Sequence, residues 1–151
     1  MIPCRFELTG NEVLQAQFSV LQDRIQKRVL IKALKGCTKP LESKMKELCP
    51  VSKEGVSGER LESRNHPSGY LRATIGTIVG KGDKFPVVWV RPRFGNGKDP
   101  WYEHFPMAGT KNMTKQPTPF VDMAWGQMGP EIEASLAADL EKNIQAEIDR
   151  L

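Results

Sequence analysis

The side chains that could carry out catalysis are few and scattered in this sequence. The chain has two histidines, His66 and His104, so a general base must be one of them or a carboxylate with a shifted pKa. His104 follows Glu103 in a predicted strand, where neighbouring side chains point to opposite faces, so Glu103 cannot orient it as a catalytic pair requires. A structural role is therefore favoured for both histidines, and hydrolysis at His104 stays open as an alternative.

The three cysteines do not form a metal-binding pattern. Cys4, Cys37 and Cys49 include no C-x-x-C pair and have no histidine at metal-ligand spacing. They read as small buried apolar residues in a reducing compartment. The glycine-rich segments 80–82 and 95–98 lack the helix and hydroxyl residue of a phosphate-binding loop and are predicted to be hairpin turns. The sequence thus predicts no catalytic residue, no metal site, no cofactor and no enzyme activity.

Charge is divided between the two ends of the chain. The formal net charge is +4, but residues 22–49 carry an excess of five positive charges and residues 131–151 an excess of four negative charges. The two segments could be ordinary solvated faces, could pair within a subunit, or could order a ring of identical subunits. The residues considered for contact with DNA or with another subunit are Arg28, Lys32, Lys35 and Lys39. An alternative function is therefore a small basic module that binds nucleic acid without sequence specificity.

The sequence predicts that these cations lie on a long N-terminal helix. Pro3 to Leu8 alternate as a short strand, and Thr9 with Glu12 has the form of a capping box. Apolar residues at steps of three to five then continue to Cys49. Because Pro40 removes a backbone donor and crowds the carbonyl four residues earlier, a kink or break is expected near Gly36. One bent helix or two stacked helices would fit.

The middle of the chain predicts antiparallel strands, and its end predicts a second long helix. Strands are expected at residues 70–79, 85–91 and 101–105, with a tight turn at Asn96-Gly97. The final helix should begin at Phe120, be interrupted at Gly129-Pro130, and carry an apolar stripe to Leu151. The polar loops 51–68 and 109–119 are long enough to suggest contact with neighbouring subunits.

The predicted fold is therefore a single α+β domain spanning residues 1–151. It has an antiparallel sheet of three to four strands, with a long kinked N-terminal helix and a long C-terminal helix packed on one face. No stretch approaches the roughly 20 apolar residues of a membrane span, and the start MIPCRFEL shows no secretory signal. The protein is expected to be made and kept in a cytoplasm.

Three ordered motifs then carry a resemblance to a known family. They are HPSGYLRATI at residues 66–75, WYEHFPMAGT at residues 101–110 and PFVDMA at residues 119–124. Together they resemble the tail-completion, or head–tail joining, proteins of long-tailed bacteriophages. The matching positions are Pro67, Gly69, Leu71, Arg72, Tyr102, His104, Phe105, Gly109, Thr110, Pro119, Phe120 and Ala124. Ser68, Met107 and Met123 depart from the family pattern, which has Thr, an acidic residue and Pro there.

The resemblance implies a structural virion protein of the phage neck. Such proteins form a ring, expected here to be hexameric, that completes or terminates the tail and joins it to the capsid connector while the genome passes through the lumen. The implied partners are further copies of the chain, connector or stopper proteins, tail tube proteins and, non-specifically, genome DNA, with no membrane. Each motif residue could serve the fold alone or also contact another subunit.

Overall fold

The computed structural model describes residues 12–53, 65–80, 86–109, 111 and 116–150. Two long helical segments pack against each other, and the first of them also packs against a β-hairpin, so the protein has the predicted α+β class. The described elements are α1 (Glu12–Ser19), α2 (Asp23–Cys37), α3 (Lys39–Leu48), α4 (Tyr70–Thr74), β1 (Ile75–Val79), β2 (Val88–Pro92), α5 (His104–Ala108) and α6 (Phe120–Ile148). Thr9 and the strand predicted at residues 3–8 lie outside the described residues.

α2 and α3 form one long bent helix, which confirms the predicted kink. The bend falls at Thr38, whose hydroxyl donates a hydrogen bond to the carbonyl of Leu34 at 2.7 Å. Pro40 lies in the first turn of α3, where its missing N–H would have no partner within the helix in any case. The apolar face continues across the bend, and its buried members are Val29, Ala33, Cys37, Leu41 and Met45.

A second break, between α1 and α2, was not predicted. Gln22 has extended backbone angles, and the Gln26 side chain donates hydrogen bonds to the carbonyls of Phe18 at 3.1 Å and Leu21 at 2.7 Å. These bonds satisfy carbonyls that the end of α1 leaves without helical partners. Leu21 nevertheless stays buried. The apolar spacing therefore runs through the break without marking it.

α6 is a single helix of 29 residues that packs along both α2 and α3. The predicted interruption at Gly129-Pro130 is wrong. Pro130 has no N–H to donate, so it costs the helix the hydrogen bond to the carbonyl of Gly126, while buried residues on both sides hold α6 in place. Those buried residues include Phe120, Ala124, Ile132, Leu136, Leu140 and Ile144.

The sheet of the described residues has two antiparallel strands, β1 and β2. The register runs from Ile75 opposite Pro92 to Val79 opposite Val88. The first part of the strand predicted at residues 70–79 is instead the short helix α4. Gly69, with φ of 78°, starts that helix, and Leu71 and Thr74 are buried three residues apart on one side of it. Helical spacing suits their burial better than strand alternation.

The third strand predicted at residues 101–105 is wrong. Residues 101–103 form a turn closed by a bond from the amide of Glu103 to the carbonyl of Pro100 at 2.9 Å, and α5 follows. Aromatic residues favour strands when they pack against neighbouring strands, but here Trp101 and Phe105 pack edge to face on each other. The Asn96-Gly97 turn is confirmed, since both residues have positive φ and the backbones of Gly95 and Lys98 exchange two hydrogen bonds.

Candidate functional site

The first two motifs, 66–75 and 101–110, pack together around an aromatic cluster. The ring of His66 stacks on Tyr70 with 3.9 Å between centroids, and Tyr102 lies 6.0 Å from His66. His66 Nε2 donates to the carbonyl of Asp99 at 2.7 Å, and the amide of Asp99 donates to the Tyr70 hydroxyl at 2.9 Å. Segments about 30 residues apart in the chain are thereby tied into one unit, which we call the aromatic clasp.

The clasp is anchored to the helical core by Leu71, Arg72 and Tyr102. Leu71 and Tyr102 are buried, and the Tyr102 hydroxyl bonds with the backbone of Leu71. The guanidinium of Arg72 donates to the carbonyl of Cys49 at 2.9 Å, just after the end of α3. Pro67 lies between His66 and Tyr70, and its carbonyl accepts a hydrogen bond from the amide of Tyr70 at 3.2 Å. These motif residues therefore have identifiable roles in holding the fold.

His104 is exposed and lies at the start of α5, with its ring edge to face on Phe105 at 4.2 Å. In the part of the chain that the structure describes, no carboxylate or thiol bonds to its ring. Beside it, burial raises the pKa of Glu103, and Arg91 and His104 oppose that rise. The Oε2 atom of Glu103 is buried and has no hydrogen-bond partner among the described residues.

The third motif joins the turn after α5 to the start of α6. Gly109 directly follows α5 with φ of 78°, a value that favours glycine. The amide of Thr118 donates to the carbonyl of Pro106 at 2.7 Å. This bond holds the segment just before α6 against α5. Phe120 and Ala124 are fully buried. Thr110 lies outside the described residues.

The described thiols sit in the core. Cys37 and Cys49 are buried, and burial raises the pKa of each thiol to about 11, which makes both poor nucleophiles at neutral pH.

In residues 12–53, 65–80, 86–109, 111 and 116–150, no group of three or more His, Cys, Asp or Glu side chains could hold a metal ion. Within those same ranges, no helix is long and apolar enough to cross a membrane. Cys4 lies outside them.

A joint between α3 and β1 was not recognised in the sequence. Glu42 Oε2 accepts hydrogen bonds from the amide and hydroxyl of Thr77 at 3.0 and 2.8 Å, and its Oε1 accepts one from Lys46 at 2.6 Å. Burial alone would raise the pKa of Glu42, but the bonds from Lys46 and Thr77 outweigh burial and hold that pKa below its usual value. The spacing of four residues between Glu42 and Lys46 could have indicated their ion pair. No pattern in the sequence indicated that Thr77 would bond to Glu42.

The cations singled out in the sequence lie on the exposed side of the bent helix. The open depression of about 480 Å³ on α2 is lined by Arg24, Lys27, Arg28, Ile31, Lys32 and Lys35, while Lys39 is exposed just past the bend. Arg28 forms an ion pair with Glu147 near the end of α6, and Arg150 bonds to the same carboxylate at 2.9 Å. The basic and acidic segments therefore pair within the subunit at this point.

Comparisons with models of protein families, with curated proteins and with solved structures found no match to this chain.

Proposed function

We propose that this chain is a structural virion protein of the phage neck. Copies of it form a ring, hexameric in our proposal, that completes or terminates the tail, joins it to the capsid connector and lets the genome pass through the lumen. The observation that carries the proposal is the ordered set of three motifs between two long helices. The roles of the matched positions Leu71, Arg72 and Tyr102 support it, because they anchor the first two motifs to the helical core.

A ring of identical subunits needs a heterologous interface that closes on itself. Apolar side chains on and next to β2 offer surface for such a contact, since Val87 is 38%, Trp89 37% and Phe94 49% exposed. Aromatic residues are enriched in subunit interfaces. A sheet of three or more strands, with residues 3–8 added to it and both long helices on one face, is the finer fold that we propose for the assembled ring.

The proposal is tested by measuring assembly. We expect the purified chain, examined by multi-angle light scattering and negative-stain microscopy, to form rings of constant copy number, alone or with tail tube or connector proteins. Trp89→Ser should weaken assembly because it removes an apolar contact. Val13→Ser, which removes a side chain that is 69% exposed on α1, serves as the matched control.

A strict monomer at every concentration, which also fails to join a tail tube or connector, would refute this function. If that monomer bound duplex DNA, the alternative of a small basic nucleic-acid-binding module would replace it. The observation favouring that alternative is the exposed basic side of α2.

A further inference from the structure

α2 carries a basic face directly opposite its buried face. With 3.6 residues per turn, the cations lie within one arc of the helix, and the buried residues Val29, Ala33 and Cys37 lie on the other side. Every cation of this face is exposed, and the partly buried Ile31 lies between them. The basic face consists of Arg24, Lys27, Arg28, Lys32 and Lys35.

This face is only partly neutralised by the rest of the subunit. Arg28 is paired with Glu147, but in the part of the chain that the structure describes no carboxylate oxygen lies within 4.0 Å of Arg24, Lys32 or Lys35. The acidic residue of α2 itself, Asp23, lies in the first turn. Positive charge therefore extends from Arg24 to Lys35, a length of about 16 Å at 1.5 Å per residue.

We propose that the basic face of α2 binds the phosphate backbone of duplex DNA without reading base sequence. A row of cations on a rigid helix complements the closely spaced charges of DNA, which lie about 3.4 Å apart along each strand. α2 has no aromatic residue that could stack on bases, so backbone contact is the mode that its side chains support. The choice of DNA as the polyanion rests on the proposed function, in which the genome passes through the ring.

The proposal predicts a measurable dependence on salt. Each phosphate that a cation contacts contributes about −0.9 to the slope of log affinity against log salt. If Arg24, Lys32 and Lys35 each contact one phosphate, their removal should reduce the steepness of that slope by about 3. Between 50 and 200 mM salt, those three contacts alone correspond to roughly a 40-fold loss of affinity.

The experiment compares two triple variants of the full chain by fluorescence anisotropy with a labelled 30-base-pair duplex. One replaces Arg24, Lys32 and Lys35 with Gln; the control replaces Lys53, Lys111 and Lys142, which are exposed elsewhere, with Gln. Both lower the formal net charge from +4 to +1, so the comparison isolates position from total charge. We expect the first variant to lose at least tenfold in affinity at 50 mM salt and the control to change less than threefold.

Equal loss in the two variants, or no DNA binding by the wild type at 50 mM salt, would overturn the proposal. It would also be overturned if the first variant lost salt-dependent self-association but kept its affinity for DNA, because the basic face would then serve contacts between copies. Circular dichroism of both variants checks that loss of binding is not loss of folding. Light scattering on the same samples separates the neck function from DNA binding by the basic face. If the protein forms rings that do not bind DNA, the neck function is retained and this inference fails.

Discussion

The joint between α3 and β1 can be tested by the substitution Thr77→Val. Glu42 Oε2 accepts bonds from both the amide and the hydroxyl of Thr77, and valine removes the hydroxyl while keeping a branched side chain of similar size. The backbone bond to Glu42 should survive. The substitution therefore deletes one hydrogen bond to a charged group in a partly buried position.

Hydrogen bonds to charged groups contribute about 1.5–3 kcal/mol to stability. Because Glu42 is not fully buried and keeps its bond from Lys46, we expect the lower end, about 1.5 kcal/mol. Equilibrium unfolding in urea would measure it. With an m-value of about 2 kcal/mol/M, the midpoint should fall by about 0.8 M.

The pH dependence of this difference follows from the lowered pKa of Glu42. A carboxyl whose folded-state pKa lies below its unfolded value stabilises the fold above the unfolded pKa, about 4.3, and loses that contribution as pH falls through the folded pKa. The gap between wild type and Thr77→Val should therefore be largest near pH 7. It should shrink steadily below about pH 4 as Glu42 becomes protonated.

The matched control is Glu47→Gln on the same helix. Glu47 pairs with Lys44 at 3.0 Å but is 65% exposed, so its loss should change stability by less than about 0.5 kcal/mol. The reasoning is refuted if Thr77→Val changes the free energy of unfolding no more than Glu47→Gln at pH 7. It is also refuted if the Thr77→Val difference stays constant from pH 7 to pH 3.

Three further predictions concern single positions. Glu103→Gln should raise the urea midpoint at pH 7 but not at pH 4, because a carboxyl whose folded-state pKa is raised by burial destabilises the fold once it ionises; a lower midpoint at pH 7 would contradict this. Pro130→Ala should raise the midpoint by restoring the bond to the Gly126 carbonyl, a gain of about 1–3 kcal/mol; no gain in urea unfolding would mean that α6 depends on the proline. Gly109→Ala should cost more than Gly69→Ala, because Gly109 has a backbone conformation (φ 78°, ψ 171°) that is almost confined to glycine and its Cβ would lie 2.7 Å from Pro117 Cγ. Gly69 (φ 78°, ψ 1°) meets no atom within 4 Å, and equal losses in thermal unfolding would contradict the prediction.

The sequence predicted the helical half of the fold better than the sheet. Periodic apolar residues identified α2, α3 and α6 because helix burial repeats every three to four residues, and Pro40 marked the bend. Pro130 was misread because the burial of α6 residues on both sides of it outweighs the single helical hydrogen bond that it removes, and that burial depends on tertiary packing. Residues 101–105 were misread because aromatic residues that favour strands also pack well in a compact turn, and tertiary contacts decide between the two.

The candidate sites divide in the same way. Lys32 and Lys35 could be placed on an exposed helix face from their spacing, and the structure adds Arg24 to the same face. The pairing of Arg28 with Glu147 joins residues more than 100 positions apart. No local pattern predicts such a contact, nor the stacking of His66 on Tyr70, because both depend on how distant segments pack.

The packing of α6 on α2 and α3 affects how the chain folds during synthesis. The apolar side of α2 and α3 is covered by a helix that ends 100 residues after Leu48. At about 5–20 residues per second, a ribosome takes roughly 5–20 s to add that stretch. During this interval the apolar side of α2 and α3 is not yet buried by α6, and we expect chaperones to bind the nascent chain there.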